Sequence, residues 1–170
     1  MMNIDPARFV PCGHVANKVI TCAYLPDINP FYWSGDLSAF FRAMAARTFP
    51  MPRKEIRFYL SRQKSTRADS YEEQLQCELE KRGFLIIHAQ ELSVREQVEL
   101  FASASCIIAP HGAGLANTIF CRSEVKVIEI FNTSIVSPDF CQRLKYVTRD
   151  YHPVVNLNDR AVGRVLDLIS

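Results

Sequence analysis

At 170 residues, with 48% apolar and 22% charged side chains, the chain is long enough to form one domain around a sizeable core. Its formal net charge of +2 excludes the strong basic field that general nucleic-acid or membrane-surface binding requires. No apolar run approaches the length of a membrane span, and the start "MMNIDPARFVPCGH" lacks the basic and apolar regions of a signal peptide, so a cytoplasmic protein with no membrane span is expected.

The first thirty-five residues are irregular, rich in proline, and hold the aromatic trio Phe31, Tyr32 and Trp33, which suits either core or a surface for self-association. After Asp36, the spacing of Leu37, Phe40, Phe41 and Met44 predicts a helix that Pro50 and Pro52 close. "IRFYLSR" predicts a strand over 56–60. "SYEEQLQCELEKRG" predicts a helix, opened by a capping box of Ser70 with Glu73 and stopped at Gly83. "FLIIH" predicts a strand over 84–87. "SVREQVELFASA" carries a second capping box, Ser93 with Glu96, and an apolar stripe of Val94, Val98, Phe101 and Ala102. Strands follow over 106–109 and 126–130, and a last helix from about Asn158 presents Val162, Val165, Leu166 and Ile169. Strand and helix in alternation imply an α/β fold: a Rossmann-like parallel sheet with helices on both faces over 36–170, preceded by an arm with short strands over 1–35.

The six cysteines contain no C-x-x-C pair, and Cys77 and Cys106 fall inside predicted elements, so reduced, buried thiols are expected. A Cys12–Cys22 disulfide is open. Metal sites from Cys12 with His14, or His111 with Cys121, lack four convergent ligands, and no metal is expected.

In a doubly wound sheet, ligands bind beyond the carboxyl ends of the strands. Those ends carry "SRQKSTR" with Arg62, Lys64 and Arg67, then His88, then "PHGAGLAN", then Glu129. In the third, Gly112 and Gly114 let a ligand approach the backbone, and a helix beginning near Ala113 would offer N–H groups to an anion. His111 can hydrogen-bond a phosphate, Arg62 and Arg67 can neutralise one, and Glu129 can accept from ribose hydroxyls. Each feature alone also fits a tight turn, a solvated loop or a half-buried strand carboxylate; their common position at strand ends favours a pocket for a nucleotide diphosphate. The glycines do not form G-x-G-x-x-G, which leaves no nicotinamide or flavin signature, and no G-x-S-x-G elbow supports a hydrolase.

The order "YLSRQKSTR … YEEQL … LSVREQVELFASASCIIAPHGAGLANTIF … VIEIF" resembles the carboxyl-terminal half of glycosyltransferase family 61, over about Ile56 to Phe131. The match rests on His111-Gly112-Ala113, Leu115, Asn117 and Phe120, with Ser61-Arg62, Arg67, Ser93, Glu96-Gln97 and Glu129. Where the family often has Asn before the first helix glutamate, this chain has Tyr71-Glu72-Glu73. The resemblance implies the donor half of a GT-B-like glycosyltransferase, of the kind serving capsular polysaccharide biosynthesis. It implies binding of a nucleotide diphosphate sugar, and metal-independent, inverting transfer to a glycan or protein acceptor with no further cofactor. It places Arg62, Arg67, His111, Gly112, Ala113, Gly114, Asn117 and Glu129 at the donor, with His111 as the catalytic candidate. Family members also hold the acceptor with an amino-terminal half. The expected partners therefore include another chain supplying that half, or a homo-oligomer; the alternative function is a non-catalytic nucleotide-sugar-binding or scaffold module.

Overall fold

The computed structural model describes residues 35–48, 55–62, 71–132, 136–156 and 160–170. The arm before Gly35, Lys64 and Arg67, and Ser70 with its expected capping box therefore lie outside the described residues.

The described residues contain five strands and five α-helices: α1 Gly35–Thr48, β1 Ile56–Leu60, α2 Glu72–Glu80, β2 Leu85–Ile87, α3 Val94–Ala102, β3 Ala104–Pro110, β4 Lys126–Phe131, α4 Asp139–Leu144, β5 Asp150–Val155 and α5 Ala161–Leu168. A 3₁₀ segment, Ala113–Phe120, follows β3. All strand pairs are parallel, in the order β2-β1-β3-β4-β5. This is the α/β architecture the alternation predicts.

Alternation along the strands assigns the two faces. Phe58, Leu60, Ile107, Ala109 and Val127 pack with Phe101 of α3, Leu115 of the 3₁₀ segment, and Phe140 and Leu144 of α4. Tyr59, Cys106, Ile108, Ile128 and Ile130 pack with Leu75 and Leu79 of α2 and Val162 and Val165 of α5. The central strands are thus covered on both sides, which is why they read as continuous apolar runs. β5 carries Pro153, and its place at the sheet edge explains how a residue with no N–H is tolerated there. That proline and the short apolar run hid this strand from periodicity.

The helix termini follow their sequence signals unevenly. Ser93 caps α3 as expected: its Oγ accepts the Glu96 N–H at 3.3 Å and Glu96 Oε2 accepts the Ser93 N–H at 2.8 Å. Val94, expected in the buried stripe, instead stands 78% exposed, because only Val98, Phe101 and Ala102 face the sheet. α2 begins with Tyr71 as its N-cap residue, without a side-chain cap. It ends at Glu80, and in the turn that follows, Gly83 with its φ of 79° supplies the left-handed conformation, while the Phe84 N–H reaches back to the Leu79 carbonyl at 3.0 Å. In α1 the stripe also rotates: Ser38 and Ala45 are the buried residues, Phe40 is exposed, and Phe41 meets Phe120 edge-on at 5.8 Å. Cys77, Cys106, Cys121 and Cys141 are free thiols, but Cys77 and Cys141 are exposed rather than buried as expected; burial pushes Cys106 up to about 11 and Cys121 higher still, so neither is a nucleophile near neutral pH. Cys12 and Cys22 lie outside the described residues.

Candidate functional site

In the strand order, β1 is followed by α2 on one face, whereas β3 runs into the 3₁₀ segment on the other. The two exits diverge and leave a crevice at the carboxyl ends of β1 and β3, the topological switch point where ligands of such sheets bind. Arg62 leaves β1 there, and His111-Gly112 leave β3 opposite it.

The Arg62 guanidinium donates to the His111 carbonyl, and the Arg62 backbone N–H donates to Glu72 Oε1 at 3.0 Å. Glu72 Oε1 also accepts from the Tyr59 hydroxyl at 2.7 Å, and beside it Gln76 donates to Ser61 Oγ at 3.0 Å. This buried polar layer fixes the end of β1 from below. Glu72 Oε2 is buried without a hydrogen-bond partner.

His111 is held on three sides. Its N–H donates to the Ile130 carbonyl at 2.8 Å, extending the β3–β4 ladder one residue past the strand. Its ring stacks on Phe131 at 5.0 Å and meets Phe140 edge-on at 5.7 Å. Its Nδ1 lies 2.6 Å from Glu129 Oε1, while the other Glu129 oxygen accepts the Tyr151 hydroxyl at 2.6 Å. The ring keeps 19% of its surface exposed and Glu129 none.

Glu129 therefore differs from its expected role. It lies on a central strand, fully buried, with both oxygens engaged, and so has no free edge for a ribose hydroxyl; what it touches is His111. Burial raises its pKa, against the lowering effect of Tyr151 and His111. A carboxyl whose folded pKa is raised binds its proton more tightly folded than unfolded, so its contribution to stability is lost as pH rises from the ordinary carboxylate range through that raised value. Glu129→Gln is expected to flatten this slope in thermal melts between acid and neutral pH; an unchanged slope would place the titration elsewhere.

The glycines have steric rather than helical reasons. A Cβ on Gly112 would fall inside the Arg62 guanidinium, and one on Gly114 would overlap Leu60. The expected α-helix from Ala113 is instead eight residues of 3₁₀ helix, with Gly112 as its N-cap residue and no side-chain cap. Leu115 and Thr118, three apart, both face inward, as 3.0 residues per turn requires. Ala113 opens that helix and is exposed. Its first turn retains the free N–H groups that the expectation needed, because any helix leaves its leading donors without internal partners. Asn117 is turned away from this work: it donates to Gln97 at 2.7 Å, and Gln97 donates to the Ala89 and Leu92 carbonyls at 3.0 Å each. It fastens the 3₁₀ segment to α3.

Tyr151, Phe131 and Phe140 escaped sequence reasoning. The first two are brought to His111 only by the pairing of β3, β4 and β5, and no local pattern marks them. His88 ends β2 at the same edge of the sheet, where its Nδ1 is buried without a partner. Among the described residues no three His, Cys, Asp or Glu side chains converge, and no helix is long and apolar enough to cross a membrane.

The family model of Glycosyltransferase 61 matches residues 6–128, well over half of the chain and beginning far upstream of the motifs quoted above. A beta-1,2-xylosyltransferase of Oryza sativa subsp. japonica is 30% identical over 79 residues, which is 46% of this chain and 14% of that protein. The chain thus spans about a seventh of the length of the relative it matches. With an all-parallel sheet and "PHGAGLAN" at its switch point, the chain belongs to glycosyltransferase family 61.

Proposed function

We propose that this chain is the donor-binding part of a GT-B-like transferase, and that a nucleotide diphosphate sugar lies in the crevice between β1 and β3. The observation that carries this reading is the convergence of Arg62, His111 and Gly112 at that switch point, beside the free N–H groups of Ala113 and Gly114. In the transfer, an acceptor hydroxyl oxygen attacks the anomeric carbon, the bond from that carbon to the diphosphate oxygen breaks, and charge builds on the departing diphosphate. Arg62, together with Arg67, which lies outside the described residues, would meet that charge with the N–H groups at Gly112, Ala113 and Gly114. His111 is the catalytic residue: with both nitrogens protonated, Nε2–H donates to the diphosphate; with Nδ1 alone protonated, Nε2 can take a proton. Asn117 supports the site by holding the 3₁₀ segment. The acceptor is a glycan or protein, as in polysaccharide assembly.

Because the anion is met by arginine and backbone donors, no metal is required. Titration calorimetry with inorganic pyrophosphate is the direct test. Affinity is expected to survive excess chelator. A strict requirement for magnesium or manganese would overturn the reading.

A second reading is a module that binds the nucleotide sugar and depends on a partner chain, or a second copy, for the acceptor half. Sugar transfer by the isolated chain would exclude it; donor binding with transfer only on addition of the partner would establish it.

A further inference from the structure

We infer that Tyr151 is a positioning residue for His111: acting through Glu129, it holds the imidazole with its proton on Nδ1 and leaves Nε2 for the crevice. Three observations carry this. Tyr151 and His111 take one Glu129 oxygen each, both at 2.6 Å, so each carboxyl oxygen has one close polar partner. Glu129 is fully buried, which makes each donor necessary to its charge. The aromatic rings of Phe131 and Phe140 fix the imidazole plane, and the Nδ1 contact to Glu129 selects which edge of the ring faces inward.

The logic is electrostatic. An ionised Glu129 accepts only, and therefore demands Nδ1–H of His111. Without the Tyr151 hydroxyl, one carboxylate oxygen would face an apolar pocket, and Glu129 would take up a proton more readily. A protonated Glu129 donates to Nδ1, and a neutral His111 then carries its proton on Nε2. The nitrogen facing the crevice would change from acceptor to donor.

Other groups act in the same place. From α4, Asp139 opposes Glu129 ionisation and Cys141 lies close enough to act on Tyr151, while Arg143 lies over Phe140. From β1, Arg62 acts on the His111 carbonyl. The 3₁₀ segment contributes no titratable side chain.

The test reads the ring itself. In ¹⁵N-histidine-labelled full chain, assigned by the signals missing from His111→Asn, neutral His111 is expected to carry its proton on Nδ1. In Tyr151→Phe, the change to the Nε2–H form should occur about one pH unit higher, the equivalent of losing one hydrogen bond to a charge. A wild-type ring protonated on Nε2, or a folded Tyr151→Phe with an unmoved titration, would overturn the inference. If Tyr151→Phe does not fold, 3-fluorotyrosine at position 151 keeps the ring and strengthens the donor. The change should then move downward, and no movement would again overturn it. The consequence for catalysis rests on the donor-site reading, and pyrophosphate titrations separate the two. An affinity that follows the tautomer supports both, whereas a displaced tautomer with no pyrophosphate binding supports the role of Tyr151 and removes the donor site.

Discussion

Replacing His111 with alanine is expected to cost both binding and stability. The loss of one hydrogen bond to a charged diphosphate oxygen corresponds to about 1.5–3 kcal/mol, a ten- to hundredfold weaker affinity for a nucleotide diphosphate or its sugar. From the sequence alone, a histidine in a glycine-rich turn facing a ligand would be expected to leave the melting temperature nearly unchanged on truncation. The structure removes that expectation. The ring packs between Phe131 and Phe140, and Glu129 Oε1 would be left buried without a donor, so a stability loss of about 2–3 kcal/mol accompanies the change once partial exposure of the ring is discounted. Thermal melts therefore do not separate a functional histidine from a structural one here. Pyrophosphate titrations well below the mutant's transition do. Wild-type affinity in the folded His111→Ala protein would show the ring to be scaffold only.

This coupling of site to core explains which features were legible in the sequence. The strands β1 to β4 announce themselves by apolar or alternating runs, and α3 by its capping box, because these signals are local. The site residues Arg62 and His111 were legible for a topological reason: each follows a strand, and strand ends gather at one edge of a parallel sheet. What each residue does there was not. Glu129 has the residue type and position of a ribose ligand, and only the pairing of β3, β4 and β5 shows it spent on His111 and Tyr151. Asn117 sits in the motif yet bonds Gln97, twenty residues away in sequence. Non-local pairing decides such roles, and periodicity carries no record of it.

Gly112→Ala is expected to weaken diphosphate binding as much as Arg62→Ala does, about ten- to hundredfold, although an added methyl group touches no ligand. The reason lies in the room the guanidinium occupies. Arg62 reaches across the crevice to the His111 carbonyl over a position that has no side chain, and a Cβ at 112 would overlap its terminal nitrogen and crowd the carbon behind it. The backbone at 112 is bound on one side by the His111 ladder hydrogen bond to Ile130, and on the other by the Leu115 N–H to the Gly112 carbonyl at 3.0 Å. The flexible partner must therefore give way, and Arg62 swings out of the crevice. Its backbone N–H stays on Glu72, so the end of β1 keeps its course and the fold survives. Two residues that act through one guanidinium cannot contribute twice. The double variant Arg62→Ala with Gly112→Ala should bind pyrophosphate no more weakly than either single variant. Additive losses would show that Gly112 serves the ligand by close backbone approach, independently of Arg62.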